Sequence, residues 1–436
     1  MQLPIEFINR MKDELKEAFD AFISSYDDAP RTALRINPLK RPVLNADALK
    51  AAFPGGTFTP VSYERNGYVY SGDIAPGKHP LHAAGAYYIQ EPSAMSPVAV
   101  LSPSPGDRVL DLCAAPGGKS TQIAGLMKNE GILVSNEPVS SRAKILSENM
   151  ERLCVRNSIV TNEMPDRLAG FFPGYFNKIL VDAPCSGEGM FRKSEEALTE
   201  WSPENVTSCA LRQKNILKSA LEMLCPGGML CYSTCTFAPE EDEENVEWLL
   251  ENYPDLSLIE KNKIYPHTSE GEGHFYALFK RDGDEADALL PRKSISVRPL
   301  SKCKAWTEFA KDMGLELKGV YTAFGNDINL VPEDFPAVDK LKVLRIGLHL
   351  GTLKGDLFIP SHALALCLSP SEVKRSCDLS PDEETVSAYL RGETFSHNGE
   401  KGWTLISVSS LSLGWGKLSN NTMKNHYPKG LRTHGH

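Results

Sequence analysis

No run of apolar residues in this chain reaches the roughly 20 needed to cross a bilayer. The first residues, Met1 to Phe22, are amphipathic and charged and do not have the pattern of a leader. Together these absences predict a cytoplasmic protein with no membrane segment. A disulfide framework is missing as well: ten cysteines spread over 436 residues without a leader read as reduced thiols. Nor is there an excess of positive charge. A net charge of −9 excludes a wholly basic nucleic-acid coat, though not a local basic face. What remains is ordinary: hydrophobic residues make up 41% and charged ones 24%, as in a globular protein. A chain of this length holds about two to four domains, one with a sizeable core.

One further absence narrows the choice of cofactor. The run Val109-Leu110-Asp111-Leu112 leads into Cys113-Ala114-Ala115-Pro116-Gly117-Gly118-Lys119, and a helical pattern follows from Ser120 to Met127. That order reads as strand, tight loop and helix, the first βα unit of a doubly wound sheet. Gly117 and Gly118 allow φ > 0 and a close approach of a ligand to the backbone. The spacing is not G-x-G-x-x-G, so a dinucleotide pyrophosphate fits poorly. Glu137 stands just past the next apolar run, Ile132 to Ser135, where a carboxylate can accept from both hydroxyls of a ribose. Loop and acid suit a nucleoside without a pyrophosphate, and S-adenosylmethionine is the commonest such cofactor. An ordinary α/β turn with a surface Glu would show the same two features.

Before this unit, Ile5, Phe7, Ile8, Met11, Leu15, Ala18, Phe19 and Phe22 recur at helical spacing, which predicts one amphipathic helix over the first twenty-odd residues. Arg35 to Lys40 reads as a proline-bounded turn and Ala46 to Phe53 as a short helix. Phe58 to Val61 can pair with Gly67 to Tyr70. Residues 1–84 thus form a small α/β appendage, a cap or an RNA-binding unit. Tyr87 to Ser93 reads as a turn leading into a helix from Met95 to Leu101. From Asp107 onward strands and helices alternate, which predicts a parallel sheet. Its strands are Arg108 to Leu112, Ile132 to Asn136, Ser158 to Thr161, Lys178 to Asp182 and Met229 to Cys235, with a last strand from His274 to Lys280. Leu211 to Leu224 and Glu240 to Glu251 are helical. Ligands of such sheets bind at the carboxyl ends of the strands, so Asp111, Glu137, Asp182, Cys185 and Cys235 should converge.

An acid and two thiols at an adenosylmethionine pocket suit methylation of a pyrimidine carbon. C5 is a weak nucleophile until a thiolate adds to C6. An acid at N3 stabilises the charge that develops, and a base then removes the C5 proton as the thiolate leaves. Composition does not say which cysteine does which. A buried strand thiol is the plain alternative for Cys235. A zinc site from Cys225, Cys231 and Cys235 is disfavoured because the spacing is not Cys-x-x-Cys, and no metal is expected.

Asp111 to Lys119, Asp182-Ala183-Pro184-Cys185-Ser186-Gly187-Glu188-Gly189 and Tyr232-Ser233-Thr234-Cys235-Thr236, in that order, resemble the Sun-type (NSUN) RNA cytosine-C5 methyltransferases over residues 85–282. The resemblance implies a class I SAM-dependent methyltransferase (Rossmann-like) domain of α/β class with an antiparallel last strand. It implies Cys235 as nucleophile and Cys185 as the thiol that assists release. By the same resemblance Cys113, Ala114, Ala115, Pro116, Gly117, Gly118, Lys119, Glu137 and Asp182 contact the cofactor, with Asp182 also near the base. Glu163 stands where the family has a third-strand Asp, and Asp166 is nearby. DNA cytosine-C5 methyltransferases are the nearest rival, since their nucleophile lies in a Pro-Cys pair like Pro184-Cys185.

Beyond Arg281 the texture changes. Asp282 to Asp287 reads as a linker, Leu300 to Leu315 as a helix, and residues 283–380 as linker plus a small α/β segment with short runs at Leu341 to Ile346 and Leu357 to Pro360. In residues 381–436 the balance turns locally basic: from Arg391 to His436, six Lys and Arg face two Asp and Glu, interleaved with Trp and Tyr. That mixture suits phosphate contacts and base stacking, although a small β-domain with a solvated basic face would look alike. The ending resembles the PUA-like extension of bacterial RsmF-type enzymes, which methylate cytosine in 16S ribosomal RNA. The resemblance points to 16S rRNA or the small ribosomal subunit as partner and to a monomer, with tRNA, DNA and a non-catalytic RNA-binding scaffold as the competing readings.

Overall fold

The structure, a computed structural model, describes residues 2–284, 303–336 and 338–433. The N-terminal helical stretch is divided into α1 (Ile5–Leu15) and α2 (Phe19–Ser24), because Lys16 takes φ 49° and the chain tightens into a 3₁₀ turn between them. The break lets Phe7, Met11 and Phe22 all reach one buried cluster with Phe191, Trp201 and Phe237, which a single straight helix would not do. Next come β1 (Thr32–Ile36), α3 (Ala46–Ala52), β2 (Thr57–Val61), β3 (Glu64–Ser71), α4 (Pro80–Ala83) and β4 (Tyr87–Gln90). The sheet order is β2-β3-β1-β4, and Phe58 pairs with Tyr70 as expected. Of two segments expected as turns, residues 35–40 start as the end of a strand and then turn at residues 38–40, and residues 87–93 start as a strand. Arg35 lies in β1 and Tyr87–Gln90 forms β4, both nearly wholly buried, so no polar face betrays the alternation.

After α5 (Ser96–Leu101) come β5 (Arg108–Asp111), α6 (Gly118–Met127), β6 (Ile132–Asn136), α7 (Ser140–Arg152), β7 (Ser158–Thr161), α8 (Pro165–Ala169) and β8 (Phe176–Asp182). The chain continues through α9 (Glu195–Glu200), α10 (Pro203–Met223), β9 (Leu224–Thr234), α11 (Glu243–Asn252), β10 (Leu256–Ile264) and β11 (His274–Arg281). α10 begins eight residues before the expected start at Leu211, capped by the Ser202 side chain on the Asn205 N–H. Pro226-Gly227-Gly228 does not turn the chain: Gly227 at φ 72° makes an irregularity within β9. β5 to β9 are parallel to one another, and β11 runs antiparallel to β9.

The rest of the described chain comprises α12 (Lys304–Met313), β12 (Val320–Phe324), β13 (Asp327–Val331), β14 (Val343–Ile346), β15 (Leu348–Lys354), β16 (Leu357–Pro360) and α13 (His362–Cys367). β17 (Ser376–Leu379), α14 (Glu384–Arg391), β18 (Phe395–Ser396), β19 (Gly402–Val408), β20 (Leu411–Ser419) and β21 (Thr422–Asn425) follow. Of the expected linker, residues 285–287 lie outside the described residues, as does the expected start of α12 at Leu300–Lys302. The central sheet has the order β10-β11-β9-β8-β5-β6-β7-β14. Its last strand comes from the segment after the methyltransferase-like core: Val343 pairs with Thr161 and Ile346 with Ile159, which covers the free edge of β7. None of the ten cysteines is in a disulfide. Among the described residues, no helix is long and apolar enough to cross a membrane.

Candidate active site

Strand β5 ends at the loop expected to hold a nucleoside. Leu112 N–H donates to Leu180 O and Ala114 N–H to Asn136 O, so the loop leaves the sheet between the ends of β8 and β6. Gly117, at φ 113°, caps α6 in the left-handed region that favours glycine. A Cβ on Gly118 would stand 3.1 Å from the Tyr88 ring and 3.3 Å from Gln90 Nε2, so β4 packs directly beneath the loop. The buried guanidinium of Arg35 donates to Gly118 O (2.7 Å), Thr121 Oγ1 (2.9 Å) and Gln90 Oε1 (3.1 Å). The N-terminal sheet therefore fixes the first turn of α6 from behind.

Three acids follow at the strand ends. Asp111 is fully buried; Ser120 Oγ donates to its Oδ2 at 2.6 Å, while Oδ1 has no partner among the described residues. Burial pushes this carboxyl up to about 7. An unpartnered buried acceptor beside a glycine loop fits a cationic, hydrogen-bond-donating ligand. Glu137 is also buried; its Oε1 accepts from Val139 N–H at 3.0 Å, and its Oε2 lies 3.6 Å from Arg142. That leaves Oε2 the freer acceptor. Glu163 is tied into the protein: Oε1 accepts from Lys342 N–H at 2.6 Å, just before β14, and Oε2 lies 3.2 Å from Arg167. Asp166 is exposed on α8.

The two sequence-predicted thiols meet. Cys185 Sγ and Cys235 Sγ are 3.2 Å apart, and Cys235 N–H points at Cys185 Sγ at 3.3 Å. Contact with Cys235 and burial push the Cys185 thiol well up, so it holds its proton at neutral pH. Asp182, at the end of β8, accepts from Lys119 Nζ (2.7 Å) and Ser233 Oγ (2.9 Å), with His274 Nε2 at 3.4 Å from the same Oδ1. Burial would raise this carboxyl, but Lys119 and His274 outweigh it and hold it far below the usual range. Burial opposes charge on Lys119 too, and Asp182 again prevails and raises its pKa. The result is an ionised Asp182–Lys119 pair beside a thiol pair.

Several residues that hold this arrangement were not singled out by the sequence. Glu188, wholly buried, accepts from Arg10 (2.5 Å), Trp201 Nε1 (2.7 Å) and Phe237 N–H (3.0 Å), linking α1 to both cysteine-bearing loops. Gly189 N–H donates to Cys235 O, and a Cβ there would meet that oxygen at 3.1 Å and Gly273 O at 2.7 Å. Glu241 accepts from Ser186 N–H and from Gln213 Nε2 (2.7 Å), and burial lifts its carboxyl to about 7. Glu188 lies within the Asp182–Gly189 motif and Glu241 in the turn just before α11, yet nothing in their spacing marks them as buried. Cys225 and Cys231 are buried in β9, and no group of metal-ligating side chains occurs among the described residues.

Comparison with known proteins covers nearly the whole chain. Residues 98–280 match the family described as 16S rRNA methyltransferase RsmB/F, and residues 3–92 the N-terminal domain of 16S rRNA methyltransferase RsmF. Residues 308–368 match the RsmF rRNA methyltransferase first C-terminal domain, and residues 377–433 the methyltransferase RsmF PUA domain. The ribosomal RNA small subunit methyltransferase F of Vibrio vulnificus is 31% identical, covering 98% of this chain and 97% of its own. The protein of that name from Vibrio cholerae is 33% identical over 99% and 98%. Among solved structures, a methyltransferase homolog protein from Pyrococcus horikoshii is 28% identical with TM-score 0.56, over 63% of this chain and 94% of its own. NSun6 from the same organism, 21% identical with TM-score 0.56 over 64% and 99%, shares the fold.

Proposed function

The chain belongs to the RsmF family of 16S rRNA methyltransferases, and from that premise we propose that it methylates C5 of a cytosine in 16S rRNA through a covalent bond from Cys235 to C6. The observation that carries this reading is the thiol pair at 3.2 Å beside the ionised Asp182–Lys119 pair. S-adenosylmethionine supplies an electrophilic methyl group when bound; the residues that would hold it are the loop Cys113–Lys119, Asp111 and Glu137, whereas the oxygens of Glu163 are engaged by Lys342 N–H and Arg167.

The steps then follow from the chain's own groups. Cys235 Sγ, as thiolate, bonds to C6, and the C5=C6 electrons move toward N3. A carboxyl held ionised accepts hydrogen bonds and does not donate them. Asp182 therefore suits the 4-amino group of cytosine, and the donor that stabilises charge at N3 is the Lys119 ammonium. C5, now electron-rich, takes the methyl group. Loss of the C5 proton to a base and cleavage of the C6–S bond restore the ring, and Cys185, still protonated and touching Cys235, offers a hydrogen bond to the departing thiolate.

RNA binding is assigned to the C-terminal sheet. Lys417 and Lys424 are cross-strand neighbours with no carboxylate partner among the described residues, although like charges placed opposite each other repel. Lys417 Nζ lies 5.3 Å over the Trp403 ring, against which His426 packs at 4.5 Å. A phosphate backbone would relieve that repulsion. The protein works as a cytoplasmic monomer in this reading. The test is transfer of labelled methyl from S-adenosylmethionine to 16S rRNA and to small subunits lacking the modification, with bisulfite mapping of the product. No labelled 5-methylcytosine in either substrate would overturn it.

A further inference from the structure

The Asp182 carboxylate is oriented through two oxygens with different partners. Oδ2 is taken by Lys119, and Oδ1 has Ser233 Oγ at 2.9 Å and His274 Nε2 at 3.4 Å. His274 opens β11, one position before the Phe275–Thr234 pair, and so enters the sheet next to Cys235. Its side chain is 2% exposed. Nε2 is buried and makes no well-formed hydrogen bond among the described residues; its polar contact is the long one to Asp182. Gly273, just before it, is held at φ 150°, where a Cβ would strike the Phe237 ring at 2.3 Å. The backbone that delivers the imidazole is therefore closely fixed. The groups facing the imidazole are Asp182 from β8, Lys119 from α6 and Glu91 beyond β4, and burial together with Lys119 favours its neutral form.

We propose that His274 is a positioning residue for the base-recognising carboxylate: as a neutral imidazole it donates from Nε2–H to Asp182 Oδ1 and fixes the plane in which that carboxylate meets cytosine. The inference rests on the functional reading above. Lys119 alone cannot set this plane, because an ammonium is a freely rotating point charge that tolerates many carboxylate orientations. A second donor, on a rigid ring delivered by a strand, removes that freedom. Ser233 and His274 converge on one oxygen, so the carboxylate presents Oδ1 in a fixed direction before RNA arrives. Contacts of this kind are often long in the free enzyme and shorten in the complex.

The experiment compares His274→Phe, which keeps a ring and loses the donor, with His274→Gln, whose amide reaches the position of Nε2. Full-length protein, S-adenosylmethionine and RNA carrying 5-fluorocytidine are used, because fluorine at C5 blocks elimination and traps the Cys235 adduct. The expected result is a slower single-turnover rate of adduct formation in His274→Phe, by roughly ten- to a hundredfold, the scale of a misplaced catalytic group. His274→Gln should recover most of the rate. The KM for S-adenosylmethionine and the melting temperature should stay as in wild type for both. Equal rates for Phe and Gln variants of unchanged melting temperature would overturn the proposal. If His274→Phe does not fold, His274→Asn, whose amide falls short of Asp182, takes its place against Gln with the same two outcomes. A wild-type enzyme that never captures the RNA overturns the functional reading and takes this inference with it.

Discussion

Replacing Glu137 tests the cofactor site at its most quantifiable contact. One of its oxygens is already used within the protein, by the Val139 N–H at 3.0 Å, and the other has only a 3.6 Å approach from Arg142. Glu137→Ala should therefore remove a charged acceptor from a buried position without freeing a strong internal ion pair. Hydrogen bonds to a charged partner contribute about 1.5–3 kcal/mol. At about 1.4 kcal/mol per decade, that is about a tenfold to just over a hundredfold rise in the Kd for S-adenosylmethionine. Glu137→Gln keeps one carbonyl acceptor and should fall between. Val139 is half exposed, so water can satisfy its N–H and the stability cost of the lost turn contact should be small. Titration calorimetry reads the Kd, and a melting curve of the free protein guards against unfolding. An unchanged Kd in Glu137→Ala would mean that this carboxylate serves only to cap the turn at Val139.

The thiols give a second prediction: Cys235→Ala should abolish both methyl transfer and covalent capture, whereas Cys185→Ala should accumulate a protein–RNA adduct that survives denaturing gels. The opposite pattern would reverse their roles and favour the chemistry of DNA enzymes. Changing Lys417 and Lys424 together to Glu should weaken RNA binding and flatten its salt dependence by a slope of roughly two, with cofactor affinity unaltered; equal slopes would remove this sheet from the RNA path. Asp111 gives a pH signature in the free protein. Burial lifts its pKa to about 7 in the folded protein, above the ordinary carboxylate value of 3.8, so the folded state binds the proton more tightly. The stability this contributes is full below about pH 4 and is lost as pH rises through 7. Asp111→Asn should remove this loss, about 2–3 kcal/mol between pH 5 and pH 8, as read by urea melts at those two pH values; parallel losses in both proteins would refute it.

How much of this was legible beforehand depends on where each signal resides. β5, β6, β7 and β8 are short apolar runs buried on both faces and bounded by turn residues, so their sequence announces them. β10 was missed because it is an outer strand whose middle residues are exposed and charged, which reads as a loop. β14 was missed as part of the central sheet because four residues pair with a strand some 180 positions earlier, and no local pattern encodes that. At the site, Asp182, Cys185 and Cys235 were legible because strand ends and motifs mark them. Their electrostatics were not: the sequence suggested an acid that gives a hydrogen bond at N3, whereas Lys119 and His274 make Asp182 an acceptor. The partners that decide this lie on α6 and β11, and only tertiary packing brings them together.

The N-terminal appendage reads in the sequence as a cap, yet in the structure it reaches both halves of the site. Arg35 holds the start of α6, where the proposed cofactor loop ends. Arg10 reaches Glu188, which in turn grips Phe237 N–H two residues past Cys235 and lies three residues past Cys185. Lys40, buried among Leu366 O and Ser412 Oγ, ties the same appendage to α13 and β20 in the C-terminal part. Each of these cations is buried or partly buried and donates to oxygen atoms of another segment, so removing one would leave those acceptors without that donor. Methyl transfer of this kind requires a sulfur, a carboxylate and a cofactor loop from different strands to hold their separations while RNA binds. In this chain those separations are set by β8, β9 and α6 together with the cations that the first 40 residues send into them.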